Sequence, residues 1–282
     1  MKLLDGSEVR KKIINEVLEK MTNIDKRLGI VVIGIGDSDV NDLYVRQKEK
    51  LFTSLGVGFE YIKFSSDTDE REILKLIDKL NNDDSVDGIM VELPIMGNFD
   101  VKKILNEIDY RKDVDGLTEV NREKLSSNKE CILSSTTEAI LEIIKYYDIT
   151  LDNKKIVVVG NGYLVGRPLG MIFKNKGLDV DVCDSKTSDL DEKIKKADII
   201  ITCVGKKNLI KGSVFKDKQI IIDVGVTVDR GVVYGDVERG ELEDIDCLIT
   251  PIIGGVGTVC VASLVKNLIK CYELKLMIDK KS

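Results

Sequence analysis

Short apolar runs alternate with segments of helical period along almost the whole chain. This order predicts βαβ units, in which crossover helices join parallel strands, and so an α/β fold. Leu28-Gly29-Ile30-Val31-Val32-Ile33 predicts a first strand, and Ser38 to Leu55 a helix that sets Tyr44, Lys48 and Phe52 on one face. Phe59 to Phe64 predicts a second strand, Glu70 to Leu80 a helix, and Gly88-Ile89-Met90-Val91-Glu92-Leu93 a third strand closed by Pro94. After a polar stretch from Asn121 to Lys129, a helix near Thr137 to Tyr147 opens a second series. Its strands are expected at Lys155 to Val159, Asp179 to Cys183, Ile199 to Val204, Gln219 to Val224 and Cys247 to Thr250. Its helices are expected at Val165 to Lys176 and Leu190 to Lys196.

At 282 residues the chain suits two domains of roughly 100–200 residues each. The first series predicts an α/β domain over residues 1–134, and the second a Rossmann-like dinucleotide-binding domain over 135–260. The final helix, Ala262 to Ile278, follows the last strand and has no strand to return to. It is expected to pack back on the first domain, which adds 261–282 to it.

The chain contains no His, which excludes a Ser-His-Asp triad, a Cys-His dyad, a His-ligated metal and a His general base. Proton chemistry falls to Lys, Tyr, Asp, Glu or Cys. A net charge of -6 with mixed signs offers no basic stripe for nucleic acid and points toward a small-molecule partner. The six cysteines form no CxxC pair, so neither a zinc site nor a disulfide scaffold is expected. No apolar run reaches the ~18 residues of a membrane helix, and Met1 to Asp5 lacks the charged-then-apolar layout of a signal peptide. The expectation is a cytosolic protein without membrane attachment.

Six sites carry candidate chemistry. Ile156 to Val159 leads into Gly160-Asn161-Gly162-Tyr163-Leu164-Val165-Gly166 and then a helix, the context in which glycines let a backbone approach a pyrophosphate. Tight strand-to-helix turns also use Gly for steric reasons alone. Asp184 ends the next strand, where an acid accepts ribose hydroxyls or simply closes the strand. Tyr44 and Lys48, four apart on a helix, form either an acid/base pair or a solvated lysine over a core tyrosine. Glu92 stands at the carboxyl end of an apolar strand, and a buried carboxylate there must turn outward or meet a cation. Lys112-Asp113-Val114-Asp115-Gly116 also reads as a charged turn. Pro251-Ile252-Ile253-Gly254-Gly255-Val256-Gly257 suits a close backbone approach to a ligand, or a turn into the next helix.

Taken in order, these segments resemble the methylenetetrahydrofolate dehydrogenase/cyclohydrolase family over nearly the whole chain. The resemblance rests on Tyr44-Val45-Arg46-Gln47-Lys48-Glu49-Lys50, Asp87 to Pro94, Lys112 to Gly116, Val165-Gly166-Arg167-Pro168, Asp223-Val224-Gly225, and Thr250-Pro251 through Gly257. It implies a two-domain enzyme, a homodimer through its nucleotide domains, with folate as substrate and NAD(P) as cofactor. It implies catalytic roles for Lys48, Tyr44, Glu92 and Asp115, with Lys48 as general acid/base oriented by Tyr44 and Glu92, and Asp115 bonded to the pterin. Tyr44, Asp115, Pro251, Gly254 and Gly255 would meet the substrate. Gly160, Asn161, Gly162, Val165, Gly166, Asp184, Ser185, Lys186 and Thr187 would meet the dinucleotide.

The chain departs from the family at several places. Glu92 replaces the usual Gln, Asn161-Gly162 the usual Arg-Ser, and Asp184 the usual His; Ser134 to Thr137 replaces Pro-Cys-Thr-Pro, and Ile253 a Pro. Loss of the arginine together with an acid at 184 favours NAD over NADP, against the pull of Ser185 and Lys186 on a phosphate. The implied activity is oxidation of 5,10-methylenetetrahydrofolate, followed by hydrolysis of the methenyl product to 10-formyltetrahydrofolate. Its rivals are a dehydrogenase without the hydrolytic step, an oxidoreductase of amino-acid dehydrogenase type, and a catalytically silent paralogue.

Overall fold

The computed structural model describes residues 1–37 and 39–279, less the side chains of Asp39, Val40, Leu43, Ile278 and Asp279. In chain order it runs β1 (Lys2–Leu3), α1 (Gly6–Met21), β2 (Gly29–Ile35), α2 (Asp39–Ser54), β3 (Gly58–Phe64), α3 (Glu70–Asn81) and β4 (Gly88–Val91). Next come α4 (Val101–Glu107), α5 (Glu119–Ser126), α6 (Ser135–Tyr146), β5 (Lys155–Val159), α7 (Gly166–Asn175), β6 (Asp179–Cys183), α8 (Leu190–Lys196) and β7 (Ile199–Thr202). The chain closes with β8 (Ile220–Asp223), β9 (Thr227–Asp229), β10 (Val232–Tyr234), β11 (Leu248–Ile249) and α9 (Val256–Asp279). Ser38, the predicted start of the second helix, lies outside the described residues.

Two units divide these elements. One holds Ile13–Ser135 and the chain from Val261 onward; the other holds Met1–Lys12 with Thr136–Cys260. In the first, a parallel sheet is ordered β3-β2-β4. Its central strand is buried from Ile30 to Ile35, as a strand covered on both faces must be. Val31, Ile33 and Ile35 pack with Ile73, Ile77 and Leu80 of α3 and Ile104 and Leu105 of α4. The expected return of the last helix is present: Lys275 pairs with Asp84 at 2.7 Å and Glu273 with Lys20 at 2.8 Å.

The second unit carries a six-stranded parallel sheet ordered β1-β11-β8-β7-β5-β6 and a separate β9–β10 hairpin. Val157, Ile200, Ile221 and Ile249 from four of its strands meet Ile194 of α8 and Phe215 in one core.

Several expectations need correction. Residues 1–12 join the second unit, because Lys2 and Leu3 add a parallel edge strand to β11. The stretch from Asn121 to Lys129 is largely helical: α5 is capped by the Thr118 side chain, which accepts from the Asn121 N–H. The strand expected to run to Leu93 ends at Val91, and those expected to reach Val204 and Val224 end at Thr202 and Asp223. The last helix begins at Val256, six residues before Ala262.

Candidate active site

In each sheet the chain leaves the middle strand in one direction and returns on its other side, so the carboxyl ends form a switch point where α/β proteins bind ligands. In the three-stranded sheet the switch lies between β2 and β4. The helix after β2 brings Lys48, and the residue after β4 is Glu92. Glu92 takes the inward orientation: Lys48 Nζ donates to its two oxygens at 2.7 and 2.6 Å. The side chains are 12% and 8% exposed, a burial that two charges tolerate only when each satisfies the other this closely. Tyr44, one turn earlier on α2, is 43% exposed.

The same helix is tied to β3. Tyr61 Oη donates to Asp42 Oδ1 at 3.0 Å, and Lys63 Nζ to Asp42 Oδ2 at 2.9 Å. Burial, with the Asp42 bond, pushes the Tyr61 phenol up to about 12, so it stays protonated and acts as a donor. Gly34 on β2 makes room for this ring, since a Cβ there would strike the phenol oxygen.

Asp115 lies in the same unit, two residues beyond a bridge joining Asp113 to Ile89 of β4. Its Oδ1 accepts the Ser135 N–H at 2.9 Å. Desolvation pushes its carboxyl up to about 6, against the lowering pull of Ser135 and of the Lys48 charge. Lys48, Glu92 and Asp115 thus share one neighbourhood, with a cation, a paired carboxylate and a carboxyl that changes charge near neutrality. Ser135 was noted in the sequence only as part of a divergent segment; no local pattern marks an N–H as a partner of a residue twenty positions away.

In the six-stranded sheet the switch lies beside β5. Gly160 ends that strand at φ +114°, where a Cβ would sit 2.9 Å from the Cys203 oxygen and sulfur, and a Cβ at Gly166 would run into the Gly160 carbonyl. These two glycines are demanded by the turn. Gly162 is different, because a Cβ there would meet nothing within 4 Å. The ten-residue helix α7 begins after Val165 with no side-chain cap; the Arg167 N–H donates to the Gly162 carbonyl at 3.1 Å and Pro168 has no N–H, so the Gly166 N–H at the head of the helix is the donor best placed to meet an anion. Open space at Gly162 beside an uncapped helix N-terminus fits a dinucleotide pyrophosphate. Asn161 is exposed, and Tyr163 stacks on Arg167 at 4.4 Å. At the end of β6, Asp184 Oδ1 accepts the Lys186 N–H at 2.9 Å and the Asp184 N–H donates to Thr187 Oγ1 at 3.1 Å, so residues 184–187 form one self-bonded turn.

The loop Pro251 to Gly255 belongs to this second unit. Gly254 has φ +84°, its carbonyl accepts the Gly6 N–H at 2.8 Å, and a Cβ on Gly255 would collide with the Pro251 carbonyl. The turn into α9 therefore accounts for both glycines, and Ile253 is 80% exposed.

Comparison with known proteins connects the two sites. Residues 4–115 match the catalytic domain of the tetrahydrofolate dehydrogenase/cyclohydrolase family, and residues 134–276 match its NAD(P)-binding domain. The bifunctional protein FolD of Fusobacterium nucleatum is 37% identical over 276 residues, 96% of this chain and 98% of the relative. The crystal structure of the Campylobacter jejuni bifunctional FolD methylenetetrahydrofolate dehydrogenase/cyclohydrolase has a TM-score of 0.90 at 34% identity, covering 98% and 99% of the two chains. The Trypanosoma brucei enzyme, solved with NADP and an inhibitor, has a TM-score of 0.90 at 26% identity over 96% and 97%. Matched in both halves, in the same order and nearly end to end, the chain belongs to the tetrahydrofolate dehydrogenase/cyclohydrolase family.

Proposed function

We propose that this protein oxidises 5,10-methylenetetrahydrofolate with a nicotinamide dinucleotide and hydrolyses the methenyl product to 10-formyltetrahydrofolate. The buried Lys48–Glu92 pair beside Asp115 carries the reading. The nicotinamide, when bound, accepts the hydride. The protein's task in that step is alignment, which needs no nucleophile from the chain. Gly160, Gly162, Val165 and Gly166 would hold the cofactor, with Asn161 and the turn Asp184, Ser185, Lys186 and Thr187 at its ribose end. Pro251, Gly254 and Gly255 would line the substrate path.

Hydrolysis asks for proton transfer. Water adds to the amidinium carbon and gives up a proton; collapse then breaks the C–N5 bond, loses the hydroxyl proton and protonates N5. One proton is released net. Lys48 serves as the acid/base group at these steps, Glu92 fixes its position, Tyr44 lies against the substrate, and Asp115 accepts hydrogen bonds from the pterin N–H groups.

NAD is preferred over NADP in this reading, because the exposed Asp184 carboxylate repels a 2'-phosphate and Asn161 brings no charge to hold one. Initial rates of cofactor reduction with methylenetetrahydrofolate should give the higher kcat/KM for NAD. A higher value for NADP would overturn the preference, and no reduction of either cofactor would favour a silent paralogue.

The assembly we propose is a homodimer through the nucleotide-binding unit, whose β9–β10 hairpin leaves Val228 53% and Val232 51% exposed. Sedimentation should show a dimer that Val228→Asp weakens; a monomeric wild type would remove the idea.

A further inference from the structure

Asn267 lies on α9 among the buried Leu264, Val265, Leu268, Ile269 and Cys271, and is itself 0% exposed. An apolar residue would pack there without cost, whereas a buried amide must find partners. Asn267 finds them for its nitrogen only. Nδ2 donates to the Val114 carbonyl at 2.9 Å and to the Leu133 carbonyl at 2.8 Å. Its Oδ1 is buried without a partner, as is Ser263 Oγ one turn earlier. An unpaired buried acceptor destabilises the fold, so what the amide contributes lies in what its two protons hold.

They hold the two sides of one cradle. Val114 immediately precedes Asp115, and Leu133 stands two residues before Ser135, whose N–H donates to Asp115 Oδ1 at 2.9 Å. The segments run in contact: Gly116, at φ +62°, has no room for a Cβ against the Ile132 carbonyl. Asn121, 1% exposed, braces them from the other end, accepting the Ile132 N–H at 3.2 Å and donating to Asp113 Oδ2 at 3.0 Å. Asn267 is the side chain that joins the Val114 and Leu133 carbonyls, adding to the Ser135 and Asn121 bonds a third tie between the two segments on either side of the Asp115 carboxyl.

We infer that Asn267 is a positioning residue for Asp115, setting where that carboxyl meets the N–H edge of the pterin. The inference rests on the folate reading above. Asn267 touches no ligand and acts through the backbone of residues 114 and 133.

The test uses Asn267→Leu, which removes both donors at similar size, and Asn267→Ser, which keeps one. Wild-type turnover of methylenetetrahydrofolate, measured first, tests the folate reading by itself. In the wild type, the folate KM should rise as pH falls through about 6, as Asp115 protonates and loses acceptor capacity. Asn267→Leu should raise the folate KM about tenfold or more, shift the midpoint of that pH profile, and leave the KM for the dinucleotide unchanged. Asn267→Ser should do the same to a smaller degree and decides the matter if the Leu variant does not fold. In an Asp115→Asn background the Asn267 substitutions should add no further loss in folate KM. An unchanged folate KM and pH midpoint, or an equal loss in the Asp115→Asn background, would overturn the inference and leave Asn267 a residue of the core.

Discussion

Lys48→Met should lower methenyltetrahydrofolate hydrolysis about 10²–10⁴-fold, the range that a positioned acid/base group contributes. Hydride transfer should fall far less, since it needs alignment rather than proton movement. The same substitution strands the Glu92 carboxylate, 8% exposed, without its cation. Breaking a buried pair from one side typically costs about 3–5 kcal/mol, so a fall in Tm should accompany the lost activity. Glu92→Gln in the Lys48→Met background removes the stranded charge and should restore most of the stability while restoring no hydrolysis. Alone, Glu92→Gln should raise hydrolysis, because one neutral amide oxygen in place of two carboxylate oxygens no longer clamps the Lys48 head and leaves it freer to reach the substrate. Decay of the methenyl chromophore measures activity and thermal melts measure stability. Wild-type hydrolysis in Lys48→Met would remove the lysine from the mechanism.

Gly166→Ala should abolish dinucleotide binding at ordinary concentrations and destabilise the unit by about 1–3 kcal/mol or more, as overpacking does. The reason is local. The new methyl would occupy the place of the Gly160 carbonyl oxygen, a backbone atom that cannot swing aside without unmaking the turn. Gly162→Ala provides the contrast, because its methyl would enter open space. Its melting temperature should stay near that of the wild type, with cofactor affinity falling as the methyl takes space reserved for the pyrophosphate. Titration of the dinucleotide beside thermal melts reads both variants. Equal affinity in Gly162→Ala and wild type would mean that the glycine serves the turn alone.

The long elements were legible because their signals are local. β2 and β5 lie in runs of apolar and β-branched residues, β6 alternates Asp with Val, and α3 sets Ile73, Ile77 and Leu80 on one buried face by its own period. α1 was equally open to that method, since Val9, Ile13 and Val17 recur every four residues and are all buried, but no element was expected before Leu28. β1, β9 and β10 are two or three residues long, too short to display a period, whereas the equally short β11 falls inside the strand expected at Cys247 to Thr250. α5 has little apolar face and stands on Asn121, whose partners lie in other segments.

By itself the sequence determined the α/β class, the two series of strands and helices, the glycine-rich turn at Gly160 to Gly166, and the residue types available for proton transfer in a chain without His. It also marked Lys48, Glu92 and Asp115 by kinship with a family. The tertiary structure decided which way Glu92 turns, because that depends on β4 lying beside β2 and on the helix after β2 reaching across its end. It decided that residues 1–12 serve the second sheet, since an edge strand is defined by its neighbour and not by its own two side chains. It decided the surroundings of Asp115, where Ser135 and Asn267 come from 20 and 152 residues away. Period, turn chemistry and composition are properties of neighbours along the chain; desolvation, ion pairing and hydrogen bonds to a distant backbone exist only once the chain has folded.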